Sequence, residues 1–97
     1  MKKISNIDKL KAGDRIVSFN GDYVTYWEFL MVHPHNDQYV LLIESLSQNA
    51  FKQYIPNIVN SDKWQTDYTM DDVISRQITY YKMQLKLKSM RLSNDKD

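Results

Sequence analysis

From Met70 to Leu92 the chain contains neither Gly nor Pro, and no other feature constrains its fold as strongly. At about 1.5 Å per residue an unbroken helix there spans roughly 35 Å, longer than the core of a small domain is wide. Thr69 with Asp72 three residues on resembles a capping box, Asp standing where Glu or Gln is usual. Asp71 and Asp72 open the segment, and Lys88 and Arg91 lie near its end, each placed to complement the helix dipole.

Turned at about 100° per residue, this helix carries two apolar stripes. Met70, Ile74, Ile78, Tyr81, Leu85 and Leu92 fall on one side. Val73, Tyr80, Met83, Leu87 and Met90 fall roughly opposite. Gln77 and Gln84 separate them on one flank, with Ser75, Thr79, Lys82, Lys86 and Ser89 on the other. A helix resting on its own sheet needs one stripe. The first, with two Ile and two Leu, is assigned to the intramolecular core. The second then faces a partner: 73, 80 and 87, and 76, 83 and 90, recur every seven residues, the 4-3 spacing of a helix seam, with Arg76 as its polar member. Met83 and Met90 suit an adaptable contact surface. The alternative is that Trp64 and Tyr68, in the segment before the helix, cover this stripe within the same chain.

Ahead of the helix the pattern is that of strands. Arg15 to Phe19, then Asn20-Gly21, then the aromatic and β-branched run Tyr23 to Val32 predict a hairpin over 14–19 and 22–32, with Asn20-Gly21 in a type I′ turn. The preceding phrase, Leu10-Lys11-Ala12-Gly13-Asp14-Arg15-Ile16, resembles the lead-in to the first strand of small β-barrels such as SH3-like and Hint-type domains, and brings no functional residue with it. His33-Pro34-His35-Asn36-Asp37 breaks the pattern. Gln38 to Ser45 follows as a third strand, apolar on both faces and therefore central or covered. A fourth strand is expected near 50–55, then an irregular or short helical segment, since Pro56 interrupts any helix there.

The expectation is one α+β domain. It comprises a lead-in at 1–13, an antiparallel β-meander of three to four strands over 14–55 that is open to barrel-like curling, and an irregular connection at 56–68. A long amphipathic C-terminal helix over 69–92 and a frayed tail at 93–97 complete it. A chain of 97 residues has room for one such core. It has no Cys, which excludes disulfides and thiolate metal sites. Its basic first residues lead into no apolar run, and Phe29–Val32 and Tyr39–Ile43 are too short to cross a bilayer, so a cytoplasmic, membrane-free setting is expected. Lys outnumbers Arg ten to three, the usage of AT-rich bacterial and phage genomes.

Candidates for chemistry are few. His33, His35 and Asp37 form an H-x-H-x-D string, but no other His or Cys exists to complete a metal site. Glu28 and Glu44, on neighbouring strands, are a candidate carboxylate pair for acid–base work. No nucleophile with a base and no Gly-rich phosphate loop is present, so neither an enzyme nor a cofactor is expected. The sequence is instead that of a non-enzymatic interaction module, homodimeric through Val73, Arg76, Tyr80, Met83, Leu87 and Met90, or binding another protein in the manner of a small bacterial, phage or plasmid accessory protein. The alternative is nucleic-acid binding through Arg76, Lys82, Lys86, Lys88 and Arg91, where residues 73–97 concentrate a net charge of +4 (six basic, two acidic).

Overall fold

The computed structural model describes residues 1–46, 48 and 50–94, with the helix side chains through Arg91. Six strands form one antiparallel sheet: β1 (Lys2–Lys3), β2 (Arg15–Asn20), β3 (Tyr23–Val32), β4 (Tyr39–Glu44), β5 (Lys52–Pro56) and β6 (Trp64–Thr66). Among the described residues a 3-10 turn at Ile7–Lys9 follows β1, and one α-helix, α1 (Met70–Asn94), follows the sheet. The spatial order is β1-β6-β2-β3-β4-β5. The fold is thus α+β as the patterning implies, with six strands instead of three or four.

The two additional strands lie where periodicity is too short to read. β1 has two residues and β6 three, and β6 is inserted between β1 and β2. Its flanks carry the turn information in unusual residues: Asn57, Asn60 and Asp67 take positive φ angles of 61°, 54° and 50°, a region Asn and Asp enter more easily than other side chains. β5 ends on Pro56 at an outer edge, where a missing N–H costs no ladder bond. The expected irregular connection after Pro56 survives only up to Lys63.

The sheet is closed on one side. Ile4 bridges Val59, and the Asn60 amide donates to the Ile4 carbonyl at 2.7 Å, tying the segment after β1 to the segment after β5. Ile16, Trp27, Phe29, Val40 and Leu42 point to this side, and Ile4 and Ile58 seal it. The Trp27 indole N–H donates to Ser18 Oγ at 2.9 Å, and Trp64 packs on its ring. The opposite face carries a smaller cluster: Val17 and Phe19 of β2 with Val73 of α1, flanked by Val24, Tyr26 and Tyr68.

The hairpin is displaced by one residue from its expected register. Asn20 pairs with Tyr23, so Gly21-Asp22 forms the loop. Only Gly21 has a positive φ, 63°, which matches type II′ and not the type I′ expected of Asn-Gly. The helix explains the choice. Tyr80 lies over Gly21 so closely that a Cβ there would meet its hydroxyl at 2.9 Å. Gln77 donates to the Asp22 carbonyl at 3.2 Å, and the Tyr81 hydroxyl donates to Asp22 Oδ2 at 2.7 Å.

Among the described residues no helix is long and apolar enough to cross a membrane.

Candidate interaction surface

α1 begins as its sequence dictates. The Thr69 amide donates to Asp72 Oδ2 at 3.0 Å and the Asp72 amide donates to Thr69 Oγ1 at 3.2 Å, a reciprocal capping box. The Thr69 amide bond holds the Asp72 carboxyl below its ordinary range. From there the helix runs along β2 toward the Gly21-Asp22 loop and continues past it.

Over its first three turns the helix lays on the sheet the face that the sequence expectation gave to a partner, while Met83, Leu87 and Met90 of that set stay exposed beyond it. The stripe assigned to a partner supplies the intramolecular contact: Val73 is 1% exposed between Val17 and Phe19. The Arg76 guanidinium lies 4.1 Å from the Phe19 ring centroid. Tyr80 covers Gly21. Tyr68 flanks Val73, as the single-chain alternative required, whereas Trp64 packs on the other side of the sheet. The stripe assigned to the core is open to solvent instead, with Ile74 47%, Ile78 49% and Leu85 67% exposed, and Met70 and Tyr81 exposed as well. The physical reason is the narrow target. The sheet offers the helix only Val17, Phe19, Val24 and Tyr26, with a side-chain-free glycine at the tip. A small Val, a flat guanidinium and a tyrosine ring fit that surface closely. The place of Leu92 in its stripe lies outside the described side chains, and the tail at 95–97 outside the described residues.

Among the described residues nothing supports the helix past Tyr81. Every described residue from Tyr81 to Arg91 is exposed, including Met83, Leu87 and Met90 of the partner set. The molecule is 58 Å long but only 26 and 25 Å across, and its radius of gyration is 16.6 Å, against about 12.5 Å for a compact chain of this length. The projecting half-helix accounts for the difference. A free helix of about a dozen residues is marginal in water, and burial of an apolar face is what ordinarily stabilises one.

The exposed stripe has a regular spacing. Ile74, Ile78, Tyr81 and Leu85 are separated by four, three and four residues, and the series continues by three to Lys88. This is the spacing a coiled-coil seam uses, and it lies roughly 140° around the helix from the sheet-facing side. The same 4-3 arithmetic fits 73, 76, 80, 83, 87 and 90, so spacing alone does not distinguish the two. Tyr81 is fixed in the open seam by its bond to Asp22, which also raises its phenol pKa.

The other candidates are dispersed. His33 Nδ1 accepts from the His35 amide at 3.0 Å, and the His33 ring packs 4.6 Å from that of Tyr54, which gives it a structural role. Among the described residues no three His, Asp or Glu side chains gather as a metal site. Glu28 pairs with Ile43 and Trp27 with Glu44, so the two glutamates lie on opposite faces of the sheet and form no carboxylate pair. Of the basic set, Arg76 is occupied by Phe19, and Lys82, Lys86, Lys88 and Arg91 distribute around the projecting helix. A groove of about 610 Å³ beside the helix start is lined by Arg15, Tyr26, Glu28, Leu46, Tyr68 and Met70. It is an open aromatic trough in which burial raises the Tyr68 phenol. Compared with protein families, with curated proteins and with solved structures, the chain matches none.

Proposed function

We propose that the chain is a non-enzymatic interaction module that self-associates through α1, the sheet acting as the mount that holds the helix out. The observation that carries this reading is the seam Ile74, Ile78, Tyr81 and Leu85, left in water on a helix whose second half has no support of its own. Met83, Leu87 and Met90 are exposed as well, but they lie on the far side of the projecting half and outside this seam. Covering each half-exposed seam residue contributes on the order of 1 kcal/mol, and a two-fold pair covers every one of them twice.

The nucleic-acid reading draws less support. Its cations are spread around the helix and one is stacked on Phe19, whereas phosphate binding gains from cations gathered along one line.

Molar mass by light scattering on a sizing column, over a wide concentration range at low and high salt, tests the proposal. A dimer that persists in high salt is expected, because apolar burial drives it. A monomer at every concentration, with the helix intact by circular dichroism, overturns self-association.

A further inference from the structure

Two copies of a 4-3 seam can pair in either direction, and the charges at its two ends discriminate between them. In heptad terms Asp71, Ile78 and Leu85 occupy one seam position, and Ile74, Tyr81 and Lys88 the other. Parallel pairing sets like positions together, so Asp71 meets Asp71 and Lys88 meets Lys88. Antiparallel pairing sets unlike positions together. Ile74 of one copy then faces Leu85 of the other, Ile78 faces Tyr81, and Asp71 faces Lys88. On the flanks Gln77 falls beside Gln84 and Ser75 beside Lys82, so no like charges meet.

We propose that the occupant of the seam is a second copy of this chain bound antiparallel, with Asp71 of each copy paired to Lys88 of the other. The inference rests on the self-association reading and adds its direction and register. Two further observations support it. Asp71 and Lys88 are exposed, and among the described residues neither makes an ion pair. The support for the helix is also one-sided. In this register residues 82–88 of one copy lie against 71–77 of the other, so each projecting half is braced by the half that its partner's sheet holds in place. A parallel pair leaves two projecting halves to support only each other, with Lys88 of one copy against Lys88 of the other.

The absence of native Cys makes the test direct. Asp71→Cys and Lys88→Cys are made as separate variants, then oxidised alone and as an equal mixture. In the mixed dimer one Asp71–Lys88 pair remains intact while the two new thiols face each other. The expected result is a covalent dimer in the mixture and none from either variant alone. Covalent dimers from each variant alone indicate a parallel pair and overturn the proposal. So does the absence of any cross-link while both variants remain dimeric by light scattering. A wild-type chain that is monomeric throughout removes the self-association reading itself, which is a different outcome from a dimer of the wrong direction. Charge reversal gives a second measurement. Lys88→Glu weakens association by about tenfold, since it creates two like-charge pairs per dimer. Asp71→Lys in the same chain restores it if the pair is antiparallel, and fails to restore it if the pair is parallel.

Discussion

Replacing Val73 and Ile78 separately by Ala distinguishes the two faces of the helix, because the structure assigns the two residues opposite roles. Val73 is 1% exposed among Val17, Phe19, Val24, Tyr26 and Tyr68. Val73→Ala removes two methyl groups at about 0.8 kcal/mol each and leaves a small void, together about 2 kcal/mol. Ala is the better helix former by roughly 0.5 kcal/mol, so the net loss is about 1.5 kcal/mol. For a domain of this size that lowers the melting temperature by roughly 6–12 °C. Ile78 is 49% exposed and belongs to neither buried cluster. In the isolated chain Ile78→Ala changes stability by less than about 0.5 kcal/mol, the gain in helix propensity offsetting the little packing lost. In a dimer the same substitution removes two seam contacts, on the order of 2 kcal/mol, which raises the dissociation constant roughly thirtyfold. Thermal unfolding of dilute protein reads the first quantity and light scattering of concentrated protein the second. If Ile78→Ala lowers the melting temperature of the dilute protein as far as Val73→Ala does, the seam is not open and the reasoning fails. It fails equally if Val73→Ala dissociates a dimer without destabilising the chain.

Gly21→Ala is expected to cost about 1–2 kcal/mol, since φ of 63° is unfavourable for a residue with a Cβ and Tyr80 must move aside; adding Tyr80→Phe recovers only the steric part, as thermal melts will show. Thr69→Ala removes the hydroxyl that accepts from the Asp72 amide and lowers stability by about 1 kcal/mol in urea unfolding. Because the Asp72 pKa is depressed in the fold by its bond from the Thr69 amide, its contribution is complete above the ordinary carboxylate range and is lost as pH falls through the lower, folded value. An acid titration of stability therefore carries this slope in the wild type, and Asp72→Asn removes it. Ile58→Ala empties a fully buried site where the loop after β5 closes the sheet, and a loss of about 2–5 kcal/mol is expected by the same unfolding assay.

The elements with strong local signals were legible from residues alone. The β2–β3 hairpin, β4 as a strand apolar on both faces, and the capping box of α1 follow from alternation, turn chemistry and caps, whereas the strand expected near 50–55 had only a weak signal and forms at Lys52–Pro56. β1 and β6 were not legible, because two or three residues hold no period and their pairing partners are distant in sequence. The turns that frame them use Asn57, Asn60 and Asp67 where a reader looks for Gly. The one-residue shift of the hairpin arises from contacts with Gln77, Tyr80 and Tyr81 more than fifty residues away. An Asn-Gly pair states a local preference; a tyrosine placed over the glycine decides the register.

The reversal of the helix faces over the first three turns follows from the same limit. Hydrophobicity ranks Ile74, Ile78 and Leu85 above Val73, Arg76 and Tyr80, so a helix wheel sends the former inward. The wheel carries no information about the size of the surface waiting for it. Here that surface is one strand pair, with Phe19 able to receive a guanidinium and Gly21 able to receive a ring. Large aliphatic side chains would leave gaps there, while one Val, a stacked cation and a tyrosine fill it. The more apolar stripe is then the one free to meet a partner. On the self-association proposed above, a seam that begins at Asp71 and reaches Lys88 is complementary to its own copy only when the copy runs the other way.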